Sequence, residues 1–144
     1  MTQLSDNALA RACADSMYKR DIAAQALGIS LGEVKPGFAQ MKMTIREDML
    51  NGHGICHGGF LFTLADTVFA YAGNSYNKVS VAKNCEIDFL LPGKAGDELT
   101  ATAQERQRGR KTGVYDVEVR NSDAELVALF RGRSYQIAGE VLTG

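Results

Sequence analysis

The segment that most limits what this chain can fold into is Asn51–Ala72, NGHGICHGGFLFTLADTVFAYA. It opens with Gly52, Gly54, Gly58 and Gly59 interleaved with His53 and His57, a composition that favours a loop over a regular element. From Phe60 to Ala72 almost every position is apolar, all the way round the wheel. That predicts a helix from about His57 to Asn74, surrounded by protein rather than lying on its surface. Thr63, Asp66 and Thr67 fall at i, i+3 and i+4, so they form one narrow polar seam along it. A carboxylate in such a helix is costly unless it has a partner or a task. Glycines at a helix start leave backbone N–H groups open, and that end favours negative charge. Donors to polarise a carbonyl, followed by a carboxylate base, point to hydrolysis.

The remaining residues must enclose this helix. Ser5 or Asp6 caps a first helix running to about Lys19, and a shorter piece, Asp21–Leu27, stops at Gly28. Together they form an N-terminal helical segment over about 5–27. Ile29–Val34 reads as a strand, Lys35-Pro36-Gly37 as a turn, and Phe38–Ile45 alternates with Ala39, Met41, Met43 and Ile45 on one face. After the long helix, strand-like runs cover Val79–Leu91, Glu98–Arg108, Thr112–Arg120 and Leu126–Ile137. In the third of these, Val114, Val117 and Val119 share a face if a bulge offsets Val117. The turns Pro92-Gly93, Gly109-Arg110-Lys111 and Asn121-Ser122-Asp123 separate the runs, which implies a four-stranded antiparallel meander. The expected class is α+β: a long central helix wrapped by a curved antiparallel sheet of five to six strands, in one domain spanning residues 1–144.

Composition narrows the function classes. A chain of 144 residues with 45% hydrophobic content suits one sizeable core. A net charge of −1 gives no global attraction to nucleic acid or to an anionic membrane. Cys13, Cys56 and Cys85 are odd in number and widely spaced, which fits a reducing compartment rather than a disulfide framework. The N-terminus lacks a basic region followed by an apolar signal core, and Phe60–Ala72 is too short to span a bilayer. A cytoplasmic protein is expected.

Asn51, the His57-Gly58-Gly59 triplet, Leu64 and Asp66, followed by DFLLPGKAGDELTATA (Asp88–Ala103), resemble the hotdog-fold acyl-CoA thioesterases. NGHGICHGGFLFTLADTVFAYAGNS, with KTGVYDVEVRN and ALFRGRS, resembles more closely the PaaI-type branch, the phenylacetic acid degradation thioesterases. The likeness runs from about Met17 to Ile137. It implies hydrolysis of phenylacetyl-CoA, or its ring-hydroxylated forms, to free acid and coenzyme A, with no metal or redox cofactor. It also implies a homodimer joined edge to edge, often doubled into a tetramer. On this likeness Asn51 and His57 serve placement, Gly58 is the backbone donor to the thioester carbonyl, and Asp66 is nucleophile or general base. Gly59 and Thr67 join the substrate contacts, and Val81, with Ala82 and Lys83, forms a strip for the pantetheine arm.

The residues also admit plainer readings. Asp66 is equally a buried carboxylate satisfied by Thr63 or Thr67. Gly58 and Gly59 serve a tight turn as readily as an oxyanion, and Asn51-Gly52 is a turn former in its own right. His57 suits a backbone bond at the helix start as well as a place beside Asn51 or substrate. His53 and His57 are four apart around Cys56, but the glycines argue against a continuous helix through both, so a metal site is disfavoured. Cys56 reads as a small buried hydrophobe rather than a nucleophile. Lys111, with Arg106, Arg108 and Arg110, and Arg131 with Arg133, are candidates for the phosphates of coenzyme A, or else solvated turns and strand faces. A hydratase on acyl thioesters and a non-catalytic acyl-CoA sensor are the rival functions. Helix geometry adds one inference: Gly58 and Asp66 are about 12 Å apart along the axis, too far to grip one thioester, so each site draws on two subunits.

Overall fold

The computed structural model describes residues 3–143. Two short helices open the chain. α1 (Asp6–Arg20) is capped by the Ser5 hydroxyl, which accepts from the Ala8 N–H at 3.1 Å. Asp21 both ends α1 and caps α2 (Ile22–Ala26), accepting from the Ala24 N–H at 3.2 Å. Gly28, at φ +71°, then turns the chain into the sheet.

The sheet has six antiparallel strands: β1 (Ser30–Lys35), β2 (Phe38–Thr44), β3 (Ser80–Phe89), β4 (Glu98–Arg108), β5 (Thr112–Arg120) and β6 (Leu126–Gln136). Their spatial order is β1-β2-β4-β5-β6-β3. The long helix α3 (Gly58–Gly73) lies across the concave side of this sheet and packs on β2, β4 and β5. The helix-facing positions of β2 are Ala39, Met41 and Met43, all essentially inaccessible, as are Leu99, Ala101 and Ala103 of β4. The alanines let the helix backbone come close to the sheet, and the larger side chains fill the flanks. Phe62, Phe69, Tyr115 and Phe130 close the other flank, with ring centroids 5.5–5.8 Å apart.

Three expectations need correction. The last four strands are not a meander: β3 pairs with β6 and forms a sheet edge, while β4 pairs with β2. The chain crosses from one edge to the middle through residues 90–97, so Pro92-Gly93 belongs to a crossing segment rather than a hairpin. Second, β5 alternates strictly, with Gly113, Tyr115, Val117 and Val119 inward and Val114 outward. The irregularity sits in the partner strand β4, between Glu105 and Gln107. Third, the chain covers α3 on one side only. Leu61, Leu64, Ala65, Val68 and Phe69 are buried against the sheet, whereas Gly59 is exposed and Phe62, Thr63, Asp66 and Ala70 are partly so. A single sheet can bury only one face of a helix.

Candidate active site

The crossing segment pins the start of α3. The Cys56 N–H donates to the Gly93 carbonyl at 2.8 Å, and the His57 N–H to the Met49 carbonyl at 2.9 Å. Leu90 and Leu91 both donate to the Val127 carbonyl, which holds the segment against β6. The Asn51 side-chain oxygen accepts from the N–H groups of His53 (2.9 Å) and Ile55 (3.3 Å), closing the glycine loop on itself. His57 is exposed at the N-cap, and its side chain makes no capping bond. Gly58 and Gly59 follow in the first turn, where N–H groups have no carbonyl within the helix. That turn carries no acidic side chain, so the positive end of the helix dipole is left for another partner.

Gly58 has a steric reason for its identity. A Cβ there would lie 2.8 Å from the Phe89 ring, which rests directly on the helix start. Around this contact opens a cavity of about 580 Å³ bounded by Asn51, Ile55, Leu61 and the segment from Phe89 to Gly93. It therefore joins the sequence-predicted Asn51 and Gly58 to an apolar wall. In the sequence this wall was hidden: Phe89, Leu90 and Leu91 read as the end of a strand and Pro92-Gly93 as a turn.

Asp66 lies elsewhere, in a second cavity of about 190 Å³ between α3, β3 and β6. Val81 and Ala82 form its rim and Ser134 its floor. The threonines of the polar seam do not serve Asp66. Thr63 donates to the Gly59 carbonyl at 2.9 Å and Thr67 to the Thr63 carbonyl at 2.6 Å, so both hydroxyls donate to their own helix. Burial pushes the Asp66 carboxyl above its usual range, and no cation among the described residues pulls it back. Among the described residues, the side chain in hydrogen-bond contact with it is that of Cys85, whose Sγ lies 4.0 Å from Oδ1. Nothing in the spacing of the sequence had marked Cys85.

The basic candidates divide. A narrow cleft holding Lys78, Arg108 and Lys111 shares Gly73, Ser80 and Ser134 with the Asp66 cavity. Arg108 stacks on the Tyr76 ring at 3.7 Å, while Lys111 stands exposed at the β4–β5 turn. Arg131 and Arg133 point from the convex face of β6. Arg131 holds Asp116 through two bonds of 2.6 and 2.9 Å, and Arg133 holds Asn84 at 3.0 Å and Glu86 at 2.9 Å.

The thioesterase superfamily model matches residues 53–128, the stretch from the glycine loop through the start of β6. Acyl-coenzyme A thioesterase PaaI of Escherichia coli is 56% identical over 128 residues, covering 89% of this chain and 91% of that protein. The solved structure of the E. coli PaaI protein from the phenylacetic acid degradation operon superposes with a TM-score of 0.93 at 54% identity, over 94% of this chain and 99% of that one. A Streptococcus mutans protein bound to acetyl CoA superposes with a TM-score of 0.75 at 27% identity, over 77% and 90% of the two chains. The fold of one long helix on a six-stranded antiparallel sheet is thus shared with these proteins, and the chain belongs to the thioesterase superfamily as a thioester hydrolase of the PaaI type.

Proposed function

We propose that the protein hydrolyses phenylacetyl-CoA, or its ring-hydroxylated forms, to the free acid and coenzyme A, at sites each built from two subunits of a homodimer. The observation that carries the shared site is the separation of its halves. Asn51 and Gly58 face one cavity, Asp66 faces another, and about 12 Å of helix lies between them. Two α3 helices running antiparallel across a twofold axis bring the donors of one subunit to the carboxylate of the other. The open side of α3, with its exposed Gly59 and partly exposed seam, and the unpaired edge of β3 favour such an assembly. A dimer of dimers extends it. Residues 1–144 form a single domain, and the three unpaired cysteines fit a cytoplasmic setting.

In this site the N–H of Gly58, with Gly59 beside it, stabilises the developing oxyanion, while Asn51 and His57 hold the loop and orient the thioester. Thr67 and Val81 flank the carboxylate and the pantetheine arm. Lys111 meets the coenzyme A phosphates, while Arg131 and Arg133, paired with Asp116 and Glu86 on the convex face, add little. The raised pKa of Asp66 favours the general-base route. Asp66 takes a proton from water, the water oxygen attacks the acyl carbon, and the thiolate of coenzyme A leaves with the bonding electrons. Single turnover in ¹⁸O-labelled water separates this from direct attack, because only direct attack puts label into the Asp66 carboxyl.

Free-thiol release from a panel of aryl and aliphatic acyl-CoAs tests the function, with phenylacetyl-CoA expected to give the highest kcat/KM. Asp66→Asn lowers kcat by about 10³-fold or more while acyl-CoA binding survives. Mixing inactive Asp66→Asn with inactive Asn51→Ala restores about one quarter of wild-type activity after subunit exchange, because half the dimers then carry one intact site. No recovery in exchanged dimers sinks the shared site.

A further inference from the structure

We propose that Cys85 is a positioning residue for Asp66: its thiol S–H points at the carboxylate, holds its orientation and tunes its basicity. The proposal rests on the reading of Asp66 as the reacting carboxylate.

The argument begins with a defect in β3. Ala82 pairs with Ser134 and Asn84 with Arg133, so Lys83 is an extra residue with no partner on β6. Up to that point the helix-facing positions of β3 are Ser80 and Ala82, opposite Gln136 and Ser134. Beyond it they are Cys85 and Ile87, opposite the inward-facing Gly132 and Phe130. The burial of β3 follows this phase change, with Cys85 and Ile87 half-buried between exposed neighbours. Without the extra residue, strict alternation from Ser80 would turn Asn84 and Glu86 toward α3 and Cys85 away from it. Bulges of this kind re-aim side chains beside active sites. Here the bulge places a thiol opposite Gly132, where strict alternation would place the Asn84 amide.

Position across the sheet supports the same contact. Gly132, the partner of Cys85, has no side chain because the Phe69 ring fills that space, with 2.7 Å between a would-be Cβ and the ring. Phe69 and Asp66 lie one turn apart on α3, so the packing of the first fixes the distance from the second to β3. The Sγ–Oδ1 separation of 4.0 Å is that of an open contact, and such contacts shorten when substrate closes a site. Thr63 and Thr67 are committed to backbone carbonyls. Among the described residues that α3, β3 and β6 place around Asp66, Cys85 is the only titratable or charged one. Burial and the negative charge of Asp66 both push the thiol pKa up, so at neutral pH Cys85 is a donor and not a thiolate.

Two near-isosteric substitutions test this by moving one observable in opposite directions. Serine offers a shorter, stronger donor that favours the charged carboxylate, so Cys85→Ser shifts the acid limb of kcat/KM to lower pH. Valine keeps the site dry and removes the donor, so Cys85→Val shifts the limb to higher pH. Each shift is about half a pH unit or more, with acyl-CoA binding close to wild type. If both limbs stay at the wild-type pH, or both move the same way, the proposal is overturned. The serine variant alone decides the matter if the valine protein does not fold, since an unmoved or raised limb contradicts it. Asp66→Asn, assayed alongside, keeps the two readings apart. Retained turnover there removes Asp66 from the chemistry, whereas lost turnover with unmoved Cys85 limbs removes only the role given to Cys85.

Discussion

The two ends of the α3 working surface are built on opposite principles. At its N-terminus the chain is polar through its backbone: free N–H groups, no acidic side chain in the first turn, and an apolar wall from Phe89 to Pro92 facing them. Two turns later the backbone is fully bonded and the polarity is one side chain, Asp66, raised in pKa by burial. In the proposed site the first region stabilises negative charge and supplies no base; the second supplies a base and no spare donors. Neither is sufficient for thioester hydrolysis, and each lacks what the other holds. A straight helix cannot fold its own ends together, so complementarity of this kind is useful only across two helices.

After removal of the Asp66 carboxylate itself, the largest way to break this contrast is at Gly58. Gly58→Ala keeps the N–H but sets a methyl 2.8 Å from the Phe89 ring. Phe89 is half-exposed and its ring can swing aside, so the protein folds, yet displacing ring or helix start misplaces the donor. We expect kcat/KM to fall about 10²-fold with a melting temperature near wild type. Undiminished turnover by the folded variant would remove the helix start from the site.

A smaller effect sharpens the other half. A carboxylate whose folded pKa is raised destabilises the native state at pH values above that pKa, and the penalty fades as the pH falls and the group protonates. Asp66→Asn is therefore expected to melt a few degrees higher than wild type at pH 7, with the gain shrinking toward pH 4. A gain independent of pH would mean that burial of charge is not its source. Activity should show the matching sign, falling as the pH drops through a value above the usual carboxylate pKa of about 3.9.

The smallest effects sort the basic residues. Lys111 lines a cleft that shares Gly73, Ser80 and Ser134 with the Asp66 cavity, whereas Arg131 and Arg133 are held by Asp116 and Glu86 on the convex face. Lys111→Ala is expected to raise KM for acyl-CoA about three- to tenfold, more at low salt. Arg131→Ala and Arg133→Ala should change KM about twofold or less and leave stability close to wild type. Equal KM effects at all three positions would place the phosphates across both faces of the sheet.

Much of this was legible in the chain as written. The all-round apolar run predicted α3 to within a residue of its ends, and the Ala39–Ile45 alternation predicted which face of β2 is buried, because burial follows local periodicity. The glycine loop and the lone Asp66 marked a candidate site, because their residue types are costly elsewhere. Other features depended on which distant segments pair. β3 left the expected meander for the far edge beside β6, and the crossing segment it required became the apolar wall over Gly58. Arg131 and Arg133 looked like free cations until β5 and β3 brought Asp116 and Glu86 beside them. Cys85 faces Asp66 only because Lys83 is left over when β3 is laid against β6. The sequence by itself therefore determined the helix, its donors and its carboxylate, since these are local consequences of composition and period. Only the tertiary structure decided what stands opposite them, because strand order and register are settled by the packing of the whole sheet at once.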